Sequence, residues 1–248
     1  MGKTTATALF TYLLASDNKK VLCIDTDPQA NLTETLELTF KKNLDLEKNI
    51  FNGLFSNNDI SNYIQSLSDN LDILAGSWDM VNFEKEADNL YYKSDFHKII
   101  QFNLKEIRNN YDYILIDTAP ATNIVMDNVI LATDQVIITT QSVPLAYEST
   151  KKFYNYLLDR YNDKDYNFEL LGVLPYLVGK SATDRDILKQ YNTVFEDELL
   201  VNVIRQSDRV KTWSNCGITK DQPYDKVTLK MYQNVVDEVL NKLKEKGE

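Results

Sequence analysis

The sequence contains few of the residues that build disulfides, metal centres and loop-rich folds. It has two cysteines, one histidine, seven glycines and five prolines among 248 residues. Cys23 and Cys216 lie far apart, which argues against a disulfide framework or a Cys/His zinc cluster and favours a reducing compartment. The shortage of glycine and proline makes a loop-rich all-β fold unfavourable. A chain of this length can bury a substantial core, so we expect a globular protein.

Long apolar runs and an excess of positive charge are also missing from the sequence. No run of eighteen apolar residues occurs, so no membrane-spanning segment is predicted. The N-terminus lacks the basic region and following apolar stretch that are typical of a secretory signal, and we expect a cytoplasmic protein. The net charge of −10 argues against a protein whose whole surface wraps nucleic acid, although a local basic patch is compatible with it.

Short apolar runs alternate along the chain with segments of helical spacing. Runs that are apolar on both faces, as in a parallel sheet covered by helices, are predicted as strands. They lie at residues 21–25, 71–74, 113–117, 135–139 and 170–174. Helical spacing recurs at 96–107, 147–158 and 226–248, whereas residues 37–70 are the least regular part. The alternation predicts an α/β fold: a doubly wound, mostly parallel sheet with helices on both faces, in one domain over residues 1–248.

The segment Gly2-Lys3-Thr4-Thr5 resembles the second half of a phosphate-binding loop at the start of a helix. In such a loop the lysine reaches the β- and γ-phosphates, a hydroxyl holds Mg²⁺, and the helix N-terminus supplies N–H donors. The tetrapeptide by itself occurs often by chance, and a plain basic N-terminus is the alternative interpretation. Its meaning therefore depends on the segments that follow.

Two segments that carry carboxylates lie at the ends of predicted strands. Residues 25–31 have the sequence DTDPQAN and begin at the end of the first predicted strand. Ligands of open α/β sheets bind beyond the carboxyl ends of the strands, so Asp25 and Asp27 are expected at the phosphate site. Four apolar residues ending in Asp117 form a Walker B pattern, whose carboxylate orders Mg²⁺, usually through water. A strand-terminal cap is the alternative for Asp117 alone, but three elements in this order predict a nucleotide site.

Taken together, these segments resemble the ParA/Soj-type ATPases of the deviant Walker A group of P-loop NTPases. Residues 25–31 match the family motif DxDPQxN, and residues 111–120 are similar to its YDYIIIDxxP segment. Residues 172–175 resemble its GILP-like strand end, and residues 203–217 resemble its VIPRxVRLSEAPSxG stretch. The family loop KGGxGKTT implies that this sequence begins inside the loop. We therefore expect the signature lysine, two glycines and the first, central strand to lie upstream of Met1, and the site in this form to be incomplete.

The resemblance implies roles for the residues around the phosphates. Gly2 and Lys3 cradle the β- and γ-phosphates, and Thr5 touches the α-phosphate. Thr4 ligates Mg²⁺. Asp27 orients or activates the attacking water, so that Lys3 and Asp27 are the implied catalytic residues.

Further residues are implied at the metal, at the γ-phosphate and at the base. Asp25 supports the metal from its strand end, and Asp117 reaches the metal through water. Asn31 and Pro120 belong to the two switch segments that sense the γ-phosphate. Two candidates for contacting adenine follow the fifth predicted strand, namely Pro175 and Tyr176.

The family resemblance also implies an ATP-driven switch in plasmid or chromosome segregation. Mg-ATP drives formation of a homodimer that binds DNA without sequence preference, and a centromere-binding ParB-type partner stimulates hydrolysis and releases it. Such a protein is cytoplasmic and associated with the nucleoid. Binding of this kind needs cations that face phosphates, and a solvated basic face is the alternative. The candidate cations are Arg205, Arg209 and Lys211, with Lys180, Arg185 and Lys189 as a second group.

Two other functions remain as alternatives at this point. One is a nucleotide-binding regulatory module that does not hydrolyse ATP. The other is a MinD-like positioning ATPase, which binds membranes through a C-terminal amphipathic helix. Residues 226–248 have an apolar stripe, but their polar side carries both Glu and Lys, whereas membrane-surface helices favour a cationic face. We therefore expect a final helix packed on the sheet and no membrane partner.

Overall fold

A computed structural model describes residues 2–247, and the chain divides into two compact units. The residues of the four-stranded unit are 3–132 and 211–219, and those of the three-stranded unit are 2, 133–210 and 220–247. Glu248, the last residue of the predicted C-terminal segment, lies outside the described residues, as does Met1.

The four-stranded unit is organised around a central buried strand. β1 (Val21–Asp25) is buried along its whole length and pairs in parallel with β3 (Leu71–Leu74) and β4 (Tyr113–Asp117). β2 (Gln65–Ser68) is antiparallel to β3, which gives the strand order β2-β3-β1-β4. The helices of this unit are α1 (Lys3–Ser16), α2 (Asn31–Phe40), α3 (Ile50–Phe55), α4 (Phe83–Leu90), α5 (Ile99–Leu104) and α6 (Ile124–Ala132).

Both faces of β1 are covered, which explains its uninterrupted apolar run. Leu22 and Ile24 are fully buried in one apolar cluster with Phe83 of α4. Cys23 points to the other face, where the Thr11 hydroxyl of α1 lies 3.4 Å from its sulfur. Since neither face meets water, successive positions of the strand are all apolar until Asp25 ends it.

The three-stranded unit is a parallel sheet with helices that follow its strands. β5 (Gln135–Gln141), β6 (Glu169–Val178) and β7 (Ile204–Arg205) pair in that order, all in parallel. Its helices are α7 (Pro144–Tyr161), α8 (Ala182–Phe195) and α10 (Pro223–Lys246), whereas α9 (Asp208–Cys216) begins in this unit and has its residues 211–216 in the four-stranded unit. The apolar residues Val136 and Ile137 of the outer strand β5 are half-buried, whereas Val173 and Leu174 of the central strand β6 are fully buried.

The C-terminal helix α10 packs on β6, as its apolar stripe predicted. Val235, Val236 and Val239 are buried. Tyr232 of α10 and Tyr176 of β6 are also buried, and their hydroxyl oxygens lie 2.6 Å apart. In the part of the chain that the structure describes, no helix combines the length and the apolar character needed to cross a bilayer.

The predicted fold class and the five predicted strands are confirmed. The structure is α/β, with mostly parallel strands and helices on both sides. The strands are divided between two sheets, in which β4 and β5 are outer strands. Two strands were not predicted: β2, which has a polar composition, and β7, which has only two residues. The prediction of one domain over the whole chain stays a prediction.

The pair of buried tyrosines yields a test of the packing of α10. Tyr232→Phe removes one hydroxyl and leaves the buried hydroxyl of Tyr176 without this partner, so we expect the free energy of unfolding to fall by ~1–3 kcal/mol. Replacing both tyrosines by Phe is expected to cost less than the sum of the two single changes, because no polar group is then left behind. Urea unfolding of the three variants measures this, and additive losses would contradict the pairing.

Candidate functional site

The N-terminus of α1 presents a lysine and a hydroxyl at the end of the four-stranded sheet. α1 begins at Lys3, directly after Gly2, whose φ of +103° is a conformation that other residues rarely adopt. Lys3 and Thr4 are half-buried in the first turn, where the free N–H groups of a helix favour anions. Burial lowers the pKa of Lys3, while the Asp117 and Asp27 carboxylates act to raise it. The ammonium group therefore lies among two of the predicted site residues.

Asp117 ends β4 as a buried carboxylate whose nearby donors, the Thr4 hydroxyl and the Thr118 N–H, do not reach ordinary hydrogen-bond geometry. Its side chain is 1% exposed, and within residues 2–247 neither of its oxygens accepts a hydrogen bond of ordinary geometry. Burial raises the pKa of Asp117 to about 7; the nearby Thr4 hydroxyl and Lys3 oppose this rise, and Asp25 adds to it. The Thr26 N–H and hydroxyl donate to the backbone carbonyl of Asp117, at 3.0 and 2.6 Å.

Asp25 lies opposite Asp117 in the parallel register but has a different environment. Oδ2 of Asp25 accepts the N–H and the hydroxyl of Thr33 at 3.0 and 2.9 Å, and Oδ1 accepts the N–H of Asp27 at 3.2 Å. Burial raises the pKa of Asp25 to about 6, and these donors oppose the rise. Because its oxygens are engaged by protein donors, Asp25 fixes the segment that follows β1. Its predicted support of a metal stays a prediction.

The segment after β1 is a tight turn that carries Asp27 and leads into α2. Asp27 is half-buried, and its Oδ1 accepts the N–H of Gln29 at 2.9 Å. The N–H of Ala30 donates to the Asp27 carbonyl at 2.9 Å, and Ala30 adopts a left-handed conformation with φ of +51°. Asn31 is the first residue of α2 and is exposed. The turn therefore presents Asp27 and Asn31 beyond the end of β1.

The structure brings together most of the predicted phosphate and metal residues of the four-stranded unit. Lys3 and Thr4 lie near Asp117, while Asp25 contacts the backbone of Asp27. Thr5 is half-buried in the first turn of α1, and Pro120 is exposed three residues after Asp117. Their roles towards a nucleotide stay predictions.

The predicted strand end before Pro175 is wrong, and the adenine contacts stay a prediction. Pro175 and Tyr176 do not follow the fifth strand, because β6 continues through both residues to Val178. Tyr176 is buried, and its hydroxyl is engaged by Tyr232. Its ring lies against Gly2, where an added Cβ atom would come within 2.4 Å of the ring. Tyr176 therefore supports the backbone at Gly2 by packing.

The predicted basic residues have different environments. Arg209 forms an ion pair of 2.6 Å with Asp225, a fully buried carboxylate whose other oxygen accepts the Gln222 N–H in the N-terminal turn of α10. Arg209 therefore stabilises the three-stranded unit. The other candidates are exposed: Arg205, Lys180, Arg185 and Lys189 in the three-stranded unit and Lys211 in the four-stranded unit.

Two residues at the site were not predicted from the sequence. Thr33 and Gly76 join the ends of two strands, since the N–H of Gly76 donates to the Thr33 hydroxyl at 2.8 Å. A Cβ atom at Gly76 would lie 2.9 Å from the Asp25 carboxyl group, so glycine is needed there for close approach. A glycine shortly after the predicted strand 71–74 is a signal that could have identified this position.

The raised pKa of Asp117 predicts a pH-dependent stability in the absence of ligands. The native state retains a proton that the unfolded chain releases near pH 3.8, so this contribution to stability is complete below pH 3.8 and is lost as the pH rises through about 7. At ~1.4 kcal/mol per pKa unit, the loss is on the order of a few kcal/mol. In Asp117→Asn the side chain is neutral at every pH, so the variant does not undergo this loss. We therefore expect its free energy of unfolding, relative to that of the unchanged protein, to increase from pH 5 to pH 8. Urea unfolding at both pH values measures this, and an identical pH dependence of the two proteins would contradict it.

Comparison with known proteins identifies the family to which this chain belongs. The AAA domain family model matches residues 1–170. The sporulation initiation inhibitor protein Soj of Bacillus subtilis is 27% identical over 214 residues, which is 85% of this chain and 81% of Soj. The structure of a putative plasmid partition protein of Borrelia burgdorferi, bound to AMPPNP, has a TM-score of 0.80 at 26% identity and covers 97% of this chain and 94% of that chain.

A similar fold also occurs in a protein with a different activity. The cobyrinic acid a,c-diamide synthase of Mycobacterium smegmatis, with bound ATP analogue and magnesium, has a TM-score of 0.77 and 21% identity, covering 98% of this chain and 91% of that chain. At that identity the likeness concerns the fold alone. The family match and the likeness to Soj over most of both sequences assign this chain to the AAA domain family, as a ParA/Soj-type P-loop ATPase.

Proposed function

We propose that this chain binds Mg-ATP and hydrolyses it to drive DNA partition. The observation that carries the proposal is the buried Asp117 carboxylate, which lies beside Lys3 and Thr4 and accepts no hydrogen bond of ordinary geometry from residues 2–247. A buried carboxylate without donors reduces stability unless a ligand compensates it. A hydrated divalent cation bound with an anion would compensate it, and Mg-ATP supplies both.

The residues present fit Mg²⁺. This ion prefers oxygen ligands and retains several of its waters. The Thr4 hydroxyl would hold it directly, and Asp117 would hold it through water, since both groups lie at the N-terminus of α1. Held in this way, Mg²⁺ would supply positive charge that neutralises the charge developing on the phosphate oxygens.

The remaining chemistry is assigned to side chains of the four-stranded unit. The Lys3 ammonium and the free N–H groups of α1 bind phosphate oxygens. Asp27, half-buried in the turn after β1, orients the attacking water and accepts its proton. Phosphoryl transfer of this kind needs positioning and charge neutralisation and no covalent intermediate.

For the wider function, we propose the cycle of a partition ATPase. ATP binding drives homodimerisation, the dimer binds DNA without sequence preference, and a centromere-binding ParB-type partner stimulates hydrolysis. The likeness to Soj and to the plasmid partition protein of Borrelia burgdorferi supports this choice. In this cycle the protein acts in the cytoplasm at the nucleoid. A membrane role is disfavoured, because the apolar stripe of α10 is buried against β6.

Hydrolysis is tested by separating turnover from binding. We expect Asp27→Ala to lower the ATP turnover of the full-length gene product by about 100-fold or more while ATP still binds, since a positioned general base contributes roughly 10²–10⁴-fold. Lys3→Ala is expected to weaken ATP binding itself. Asp88→Ala, an exposed change on α4, is the control and should leave both values unchanged. If Asp27→Ala retains full turnover, the mechanism is wrong; if no protein hydrolyses ATP but ATP binds, a regulatory module is the better account.

DNA binding is tested by its salt dependence. We expect Arg205→Ala to weaken binding of the ATP-bound protein to random-sequence DNA and to reduce the slope of log K against log salt by about 0.9, as for one lost phosphate contact. Arg209→Ala should instead lower the free energy of unfolding by ~3 kcal/mol, because the buried Asp225 loses its partner. Lys85→Ala removes an exposed charge from the four-stranded unit and serves as the control. An unchanged slope for Arg205→Ala would remove that residue from the interface.

A further inference from the structure

The hydroxyl of Thr33 joins three segments at the edge of the four-stranded sheet. Thr33 lies in the first turn of α2 and is 8% exposed. Its Oγ1 donates to Oδ2 of Asp25 at the end of β1, at 2.9 Å. The same oxygen accepts the N–H of Gly76, which follows β3, at 2.8 Å. One buried hydroxyl therefore connects β1, α2 and the segment after β3.

The same network reaches the backbone of Asp27 through Asp25. Oδ1 of Asp25 accepts the N–H of Asp27, at 3.2 Å, while Oδ2 is held by the N–H and hydroxyl of Thr33. A carboxylate anchored on one oxygen presents the other in a fixed direction. The orientation of Asp25, and with it the place of the Asp27 backbone, therefore depends on Thr33.

The turn held in this way contains a strained residue. Ala30 lies between Asp27 and Thr33 and has a φ of +51°, a region that costs about 1 kcal/mol or more for a residue with a Cβ atom. No side chain caps the N-terminus of α2 at Ala30. Within the turn, the Asp27 side chain and carbonyl accept the N–H groups of Gln29 and Ala30, and the hydrogen bonds of Asp25 and Thr33 attach this turn to the ends of the strands.

We propose that Thr33 is a positioning residue for hydrolysis, whose hydroxyl fixes Asp25 and thereby the turn that carries Asp27. The inference rests on the proposed role of Asp27 in orienting water. Thr33 has no contact with a nucleotide in this account and acts through Asp25. Its removal should therefore change turnover far more than ATP affinity, because Lys3 and the N-terminus of α1 bind the phosphates independently of this turn.

The chemistry of the hydroxyl allows matched variants. Thr33→Val keeps the shape of the side chain but deprives the half-buried Gly76 N–H of its acceptor and Asp25 of a donor. Thr33→Ser keeps the hydroxyl and removes only a methyl group. Thr35→Val makes the same change two residues further along α2, where the hydroxyl donates to the backbone carbonyl of Asn31, at 2.8 Å.

The experiment measures turnover and ATP affinity of the full-length gene product and these three variants. For Thr33→Val we expect turnover to fall by about 10–100-fold, the scale of a small misplacement at a reacting centre. The Kd for ATP should change by less than about threefold, as for a group that acts only in the transition state. Thr33→Ser and Thr35→Val should resemble the unchanged protein.

Amide hydrogen exchange distinguishes positioning from general destabilisation. In Thr33→Val, the amides of Asp27 and Gly76 should exchange faster, while those of β1, from Leu22 to Ile24, keep their rates. Unchanged turnover in Thr33→Val, or faster exchange along β1 that accompanies the loss of turnover, would overturn the inference. Failure of the proposed function gives a different result. In that case the unchanged protein shows no ATP turnover that depends on Asp27, and the proposed role of Thr33 is then also wrong.

Discussion

The parallel register that sets Asp25 opposite Asp117 is the constraint on which the site depends. Two neighbouring strands, β1 and β4, end at the same level of the sheet, and each ends in a buried carboxylate. Burial raises the pKa of both groups, to about 6 and about 7. Two carboxylates in adjoining buried positions cannot both be left without compensation. Asp25 and Asp117 differ in their hydrogen bonding, and this difference defines the site.

The two buried carboxylates differ in how the protein compensates their loss of hydration. Asp25 is satisfied from within the protein, by donors on Thr33 and Asp27, and becomes part of the scaffold. Asp117 accepts no hydrogen bond of ordinary geometry within residues 2–247 and lies near Thr4 and Lys3. A fold selected for stability alone would have satisfied both. The unsatisfied partner is the one available to an external cation, which is why Asp117, and not Asp25, carries the functional argument.

The sequence predicted the strand ends but not the contacts that connect them. The apolar runs 21–25 and 113–117 identified β1, β4 and their terminal carboxylates, because a strand buried on both faces must be apolar. Thr33 and Gly76 were missed, since their bond spans 43 residues and no local pattern encodes it. Arg209 was predicted to face DNA because its positive charge is visible in the sequence, whereas its partner Asp225 is fixed only by the packing of α10. The end of β6 was misjudged because Pro175 suggested a strand end that pairing with β5 overrides.

The fold does not by itself separate a partition ATPase from an amide-forming synthase, since both activities occur among proteins of similar structure. A phosphate-binding helix and a metal-ordering carboxylate serve any reaction that uses Mg-ATP. What distinguishes hydrolysis is a group that holds water against the terminal phosphate, and the proposed function assigns that task to the turn from Asp27 to Asn31. Its conformation includes a strained alanine, Ala30. The hydrogen bonds of Asp25 and Thr33 hold this turn in place. In the proposed function, specificity for hydrolysis is therefore assigned to that short segment more than to the sheet that supports it.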